Sequence, residues 1–188
     1  SGKSTLLNLI SSLINPTSGI IKINNSSAFN YTENIRNHIG YVSQSVYLSD
    51  ESILFNIALA KDVLEEERNK IILILEKLNL DFINNQKVDE NSSLGERGVK
   101  LSGGQIQRIG IARALYRNPD ILILDEATNA LDHHTEEKIL DYLFKTLKNK
   151  ILILCTHKKE LLKYCNKIVE VKNNTISIKE NKTNWEFS

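Results

Sequence analysis

The sequence is poor in several features that mark specialised classes of protein. Its two cysteines, Cys155 and Cys165, are too few for a disulfide framework or a cysteine-based metal site, so we expect reduced thiols in a cytosolic protein. Its formal net charge is only +1, and without an overall basic field the sequence gives no support for nucleic acid as a partner.

Long apolar runs are also missing. The longest, such as Ile71–Leu75 and Ile151–Cys155, extend about five residues, whereas a membrane-spanning helix needs roughly 18 or more. The first residues do not show the charged and apolar regions of a secretory signal peptide. We therefore expect no membrane span in this sequence and, at 188 residues, one sizeable globular core.

The patterns that are present alternate between strand and helix. Ile121–Leu124 and Ile151–Leu154 are unbroken apolar runs, which are typical of parallel strands covered on both faces. Helical periodicity predicts helices at about 4–13, 133–147 and 158–163, and shorter apolar runs predict strands at 20–23, 39–43 and 167–171. This alternation predicts an α/β fold with a mainly parallel sheet.

One long stretch, from about residue 52 to residue 80, has a helical pattern without strands. Leu64, Ile71, Leu75 and Leu78 are predicted to share one apolar face, while Glu65–Arg68 face solvent. This stretch predicts a helical unit inserted into the α/β core.

Three short motifs suggest a site for anions. Leu101–Gln105 reads Leu-Ser-Gly-Gly-Gln, and a serine before two glycines at the start of a helix leaves backbone N–H groups that attract anions. Gly2–Thr5 matches the end of the phosphate-binding loop G-x-x-x-x-G-K-[ST]. Asp125 and Glu126 follow a predicted buried strand, at the end where ligands bind in open α/β sheets.

Together these motifs closely resemble the nucleotide-binding domain of ABC transporters, whose signature is LSGGQ, and the resemblance covers nearly the whole chain. It implies a P-loop NTPase core with a mainly parallel sheet, residues 1–50 and 119–188, and an inserted α-helical subdomain, residues 51–118, that carries the signature. Because the phosphate-binding loop is only partly present before Gly2, we expect residues 1–188 to be a fragment truncated within that loop.

The resemblance implies that the chain binds ATP and Mg²⁺ and that the first residues hold the phosphates. Lys3 would contact the β- and γ-phosphates, and the Ser4 hydroxyl would bind Mg²⁺. Thr5 would lie at the α-phosphate, and Ser1 and Gly2 would complete the loop.

The resemblance also assigns the catalytic groups. Asp125 would hold Mg²⁺, and Glu126 would polarise the attacking water as general base. His157 would contact the γ-phosphate and orient Glu126, although Lys158 replaces the arginine that usually follows this histidine. Gln44 would contact both Mg²⁺ and the catalytic centre.

Domains of this family bind head to tail, so the other half of each ATP site comes from a second copy. The residues expected to contact ATP or the partner subunit in this way are Leu101, Ser102, Gly103, Gly104, Gln105 and Asp132. Because Glu126 and the signature are both intact, we expect a homodimer with two working sites.

The resemblance therefore predicts an ATP-hydrolysing domain of an ABC transporter at the cytoplasmic face of the membrane, joined to a transmembrane domain in the same polypeptide or in a separate subunit. Gly95–Gly98 and Ser52–Ile57 are similar to segments of exporter-type ATPases and favour export. Lipid, lipid-linked sugar, peptide and drug all remain open as substrates. The alternatives are an importer ATPase and a non-transport ABC ATPase that acts on nucleic acid or ribosomes.

Overall fold

The computed structural model describes residues 2–23, 26–27, 32–80, 93–94, 101–173 and 175–181, so Ser1 and Gly95–Gly98 lie outside the described residues. Helices and strands alternate in the described chain. In chain order they are α1 (Lys3–Ile10), β1 (Lys22–Ile23), β2 (Ser26–Ser27), α2 (Thr32–Asn37), β3 (Ile39–Val42), α3 (Ile53–Ala58), α4 (Glu65–Lys77), α5 (Gly103–Tyr116), β4 (Ile121–Asp125), α6 (His133–Thr146), β5 (Ile151–Cys155), a 3₁₀ helix (Lys159–Tyr164), β6 (Lys167–Lys172) and β7 (Thr175–Glu180).

A parallel sheet of three strands, in the order β3-β4-β5, forms the centre of the fold and confirms the predicted α/β class. Asp125, the last residue of β4, lies opposite Cys155, the last residue of β5, so the carboxyl ends of these strands meet at one edge. The middle strand β4 is buried, as predicted. Strand β5 is less covered than expected, and Ile151 is 56% exposed, because β5 is an outer strand of the described sheet.

The end of the described chain forms an antiparallel hairpin that the sequence predicted only in part. Strand β6 was expected, but its partner β7 was not. All six residues of β7 are exposed, so its alternating polar and apolar residues do not mark a buried face. The two-residue strands β1 and β2 form a second antiparallel pair.

The helical stretch from residue 52 to residue 80 is divided into α3 and α4. Leu59 ends α3 with a left-handed backbone (φ 57°), which no helix can continue. Ile71, Leu75 and Leu78 are buried, as predicted. The prediction for Leu64 is wrong: this residue occupies the N-cap position just before α4, and it is 72% exposed.

Helix α5 joins the helical region to the sheet. It packs against α3, α4 and β3. The buried side chains of these helices and of β4 and α6 form one continuous hydrophobic core, in which each fully buried aliphatic side chain contributes about 1.5–3 kcal/mol. The division into subdomains 1–50 with 119–188 and 51–118 therefore stays a prediction. None of the helices in the described ranges is long and apolar enough to cross a membrane.

Candidate functional site

Five of the predicted site residues lie near one edge of the sheet, where strand β4 ends beside the start of α1. We call them the strand-end cluster: Lys3, Gln44, Asp125, Glu126 and His157. Lys3 begins α1, Gln44 follows β3, Asp125 ends β4, and His157 follows β5. Parallel strands bring these groups together because their carboxyl ends share one edge of the sheet.

Glu126 is at the centre of this cluster. Its backbone has φ 53°, an uncommon conformation for a residue with a side chain, and its N–H donates to the carbonyl oxygen of Cys155 at 3.0 Å. Oε2 accepts hydrogen bonds from Gln44 Nε2 at 3.2 Å and from Asn129 Nδ2 at 3.0 Å. The carboxylate is therefore held in place from two sides, with its side chain 19% exposed.

His157 connects Glu126 to Lys3 through a single ring nitrogen. Nε2 lies 3.1 Å from Glu126 Oε1 and 2.9 Å from Lys3 Nζ. A protonated Nε2 donates to the carboxylate, whereas an unprotonated Nε2 accepts from the ammonium group. The two bonds are thus alternatives: with the ring in one position, the protonation of Nε2 decides whether His157 bonds to Lys3 or to Glu126.

Asp125 is buried beside Glu126 and has a partner that the sequence did not predict. The hydroxyl of Tyr41, on β3, donates to Asp125 Oδ2 at 3.0 Å. Burial, followed by this hydrogen bond, raises the pKa of Tyr41 to about 12, so the phenol stays protonated at neutral pH. Burial and the neighbouring Asp125 also raise the pKa of Cys155 to about 12. Tyr41 and Cys155 are therefore both neutral beside this carboxylate at neutral pH.

The start of α1 supplies a second kind of group. Gly2 has φ 80°, a left-handed conformation that glycine adopts at little cost. No side chain within the described residues caps α1, so the backbone N–H groups of its first turn are available to an anion. Ser4 and Thr5 are exposed on this turn.

The signature segment, Leu101–Gln105, forms the start of α5. Ser102 Oγ accepts from Gln105 N at 3.3 Å, and Gln105 Oε1 accepts from Ser102 N at 2.7 Å, an arrangement known as a capping box. Leu101, Gly104 and Gln105 are half-buried, whereas Ser102 and Gly103 are exposed. In the described part of the chain, these polar groups bond within their own helix and not to the strand-end cluster.

The signature helix contacts the loop that leads to Asp132. A methyl group on Gly104 would lie 3.0 Å from the carbonyl oxygen of Ala130, and Gln107 Oε1 accepts from Ala130 N at 3.0 Å. Asp132 caps α6 by accepting from Thr135 N at 3.0 Å, and this bond lowers the pKa of its exposed carboxyl. The positions of Asp132 and of the signature are thus linked within one chain.

A comparison with known families identifies the family to which a chain with this site belongs. The sequence profile described as ABC transporter matches residues 1–129. The chain belongs to the ABC transporter family. It is a nucleotide-binding ATPase domain of that family, and its α/β P-loop NTPase fold is confirmed.

Individual relatives support the assignment. The chain is 40% identical over 178 residues to a Bacillus subtilis protein named as a multidrug export ATP-binding/permease protein, covering 93% of this chain and 30% of the relative. It is 43% identical over 159 residues to a Rickettsia bellii protein named as an export ATP-binding/permease protein, covering 84% of this chain and 27% of the relative. A bacterial Atm1-family ABC exporter solved with ATP bound superposes with a TM-score of 0.85 and 31% identity, covering 94% of this chain and 31% of the exporter. The chain thus spans about a third or less of the length of these relatives.

One further ion pair in this ABC domain was not predicted from the sequence. Lys158 Nζ contacts Glu136 Oε1 at 2.8 Å and Oε2 at 2.9 Å, and it lies 3.4 Å from the carbonyl oxygen of Thr128. The Glu136 side chain is 3% exposed. The pair ties the residue after His157 to α6. The spacing of residues in the sequence did not indicate that Glu136, on the first turn of the amphipathic helix α6, would be buried.

Proposed function

We propose that this chain is the ATP-hydrolysing domain of an ABC exporter, in which ATP binding and hydrolysis drive export across a membrane. The observation that carries the proposal is the strand-end cluster, where a lysine, two carboxylates, an amide and a histidine meet beside an uncapped helix start. The similarity to proteins named for export favours this direction of transport over import.

In the proposed site, the N-terminus of α1 binds the phosphates of ATP. Lys3 leaves His157 to contact the β- and γ-phosphates, because a phosphate is a negatively charged hydrogen-bond acceptor, whereas a neutral imidazole carries no charge. Thr5 lies at the α-phosphate, and the backbone of Ser1 and Gly2 completes the loop.

Release of Lys3 frees the imidazole for the catalytic step. The ring proton then moves from Nδ1 to Nε2 through solvent, since His157 is exposed, and Nε2 donates to Glu126 or to a γ-phosphate oxygen and keeps the carboxylate oriented. Glu126 accepts a proton from the water that attacks the γ-phosphorus, the bond to the β-phosphate oxygen breaks, and ADP and phosphate are formed. Gln44 and Asn129 hold the other carboxylate oxygen during this transfer.

The residues at this edge fit Mg²⁺ as the accompanying metal ion. Asp125, the Ser4 hydroxyl and Gln44 Oε1 offer oxygen ligands, and the Gln44 amide can present Oε1 while Nε2 contacts Glu126. No group of three or more His, Cys, Asp or Glu side chains in the described ranges could hold a metal alone. Such a sparse set suits Mg²⁺, which keeps water and phosphate oxygens as ligands. When bound, it would neutralise phosphate charge.

The signature segment is proposed to serve the ATP site of a second copy. The start of α5 and the residues before it, Leu101 to Gln105, would contact the γ-phosphate bound by the opposite subunit, while Asp132 would contact that subunit directly. Loss of the γ-phosphate would then remove the contacts that hold the two copies closed.

The membrane partner is proposed to be a transmembrane domain in the same polypeptide. The relatives are named as ATP-binding/permease proteins, and the chain covers 30% of the Bacillus subtilis relative. The ATPase domain would then lie at the cytoplasmic face of the membrane.

The full-length protein in lipid vesicles tests this proposal. With the ATPase domains facing outward, added ATP should drive accumulation of a fluorescent hydrophobic drug inside the vesicles, and Glu126→Gln should stop it. ATP-driven loss of drug preloaded into the vesicles would indicate import. An ATPase stimulated by ribosomes or nucleic acid, with no transport, would indicate a non-transport function.

A further inference from the structure

The carboxylate of Asp125 is held by residues on the strands at either side of it. Cys155 of β5 lies directly opposite Asp125, and on the other side Tyr41 of β3 pairs with Ile123, two residues before Asp125. Because side chains two residues apart in a strand point to the same face, all three polar side chains share one face of the sheet. A tyrosine can span the diagonal from Tyr41 to Asp125.

The bond from Tyr41 orients the carboxylate without neutralising it. Tyr41 OH donates to Oδ2 at 3.0 Å, which occupies one acceptor position and restricts rotation of the carboxyl group. Asp125 is 8% exposed, so little water competes for that bond. A lysine or arginine in the same place would cancel the negative charge that attracts a cation, whereas the phenol leaves it intact.

We propose that Tyr41 is a positioning residue for the metal: its hydroxyl fixes the Asp125 side chain in the orientation that takes the nucleotide-bound Mg²⁺. This inference rests on the proposed role of Asp125 in binding Mg²⁺. Hydrogen-bond partners of metal-binding carboxylates orient those ligands, and their loss commonly weakens metal affinity by 10- to 100-fold, roughly. Tyr41 acts through Asp125 and does not touch the reacting atoms.

The test compares Tyr41→Phe with Tyr116→Phe in the full-length protein. Both changes remove one hydroxyl that donates to a carboxylate, since Tyr116 OH donates to Glu67 Oε1 at 2.9 Å in the helical region. The probe is the fluorescent nucleotide MANT-ADP, whose affinity is measured in EDTA and then at increasing Mg²⁺. Because ADP is not hydrolysed, this readout is independent of ATPase activity.

The expected result is a selective loss of Mg²⁺ dependence. Tyr41→Phe should bind MANT-ADP normally in EDTA but need on the order of 10-fold more Mg²⁺ for half-maximal enhancement of binding. The Mg²⁺ concentration for half-maximal ATPase rate should rise by the same factor, with the rate restored at saturating Mg²⁺. Tyr116→Phe should match the unmodified protein.

Two outcomes separate this inference from the proposed function. If Asp125→Asn abolishes the Mg²⁺ enhancement but Tyr41→Phe needs the same or less Mg²⁺ than the unmodified protein, the positioning role is wrong. If Asp125→Asn itself leaves the Mg²⁺ dependence unchanged, the proposed metal role of Asp125 is wrong, and the inference about Tyr41 falls with it.

Discussion

The two parts of the proposed ATP site are built in opposite ways. In the strand-end cluster, side chains from separate elements contact one another, and the nearby helix α1 begins without a side-chain cap. In the signature segment, Ser102 and Gln105 bond to each other's backbone and cap their own helix. The cluster is thus assembled by the fold of one chain, whereas the signature forms its capping box within a single helix end.

This difference limits what each part can do alone. The cluster presents uncapped N–H groups and a cation to an anion. The Ser102 hydroxyl already accepts a hydrogen bond from Gln105 N, which caps the helix. The same hydroxyl still has its own proton to donate to a ligand. The signature is therefore proposed to recognise a phosphate already bound elsewhere.

The largest expected effect is on the chemical step, at Glu126. Glu126→Gln should lower the rate of ATP hydrolysis by roughly 10²- to 10⁴-fold, because an amide cannot accept the proton of the attacking water. Nucleotide affinity should stay normal, and the variant should accumulate as a closed dimer, which size-exclusion chromatography with ATP would detect. Unchanged turnover would exclude the role of general base.

The next largest effect concerns the Lys158–Glu136 pair, which fixes the turn that carries His157. Lys158→Met should lower the free energy of unfolding by about 3 kcal/mol, because it leaves a buried carboxylate without its partner. Thermal denaturation would show this loss. Lys145→Met is the matched control, since Lys145 pairs with Asp141 at 3.1 Å on an exposed face, where ion pairs contribute about 0–1 kcal/mol. Equal effects of the two changes would contradict the argument.

The sequence predicted the α/β class and the central strands because fully buried parallel strands leave unbroken apolar runs, as in Ile121–Leu124. It also predicted the members of the strand-end cluster, through their place in the family's motifs. The break between α3 and α4 could not be predicted from apolar patterns or from the family's motifs. Leu59 adopts a left-handed backbone without the glycine or proline that usually marks such a break.

The contacts that support the site also could not be predicted from the sequence. Tyr41 meets Asp125, and Lys158 meets Glu136, only because strand register and helix packing bring distant segments together. No local periodicity encodes such pairs. Asn129 differs, since it lies three residues after Glu126 in one turn, and that spacing could have predicted its contact.

Nucleotide binding gives a smaller expected effect, but it compares the strand-end cluster and the signature segment directly. Lys3→Ala should weaken binding of Mg²⁺–ATP on the order of 100-fold, because a charge-assisted bond to phosphate is lost. Ser102→Ala should leave the affinity for MANT-ADP within about twofold while reducing ATP-dependent dimerisation. If Ser102→Ala weakens ADP binding as much as Lys3→Ala does, the signature belongs to the same chain's site and the proposed division is wrong.

The smallest effects distinguish the two helix caps near the proposed subunit interface. Ser102→Ala should cost about 1 kcal/mol of folding stability at any pH, because a hydroxyl cap does not titrate. Ser52→Ala, which removes the cap of α3, should cost a similar amount without affecting dimerisation.

Asp132 differs because its cap is a carboxylate whose pKa is lowered in the folded protein by the bond from Thr135 N. Its stabilising contribution is therefore present above the ordinary carboxyl pKa and is lost as the pH falls through the lower folded value. Asp132→Asn keeps an oxygen acceptor but removes the charge, so it should flatten this part of the pH profile of thermal stability. An unchanged acid limb in Asp132→Asn would show that the charge of Asp132 does not contribute to this stability.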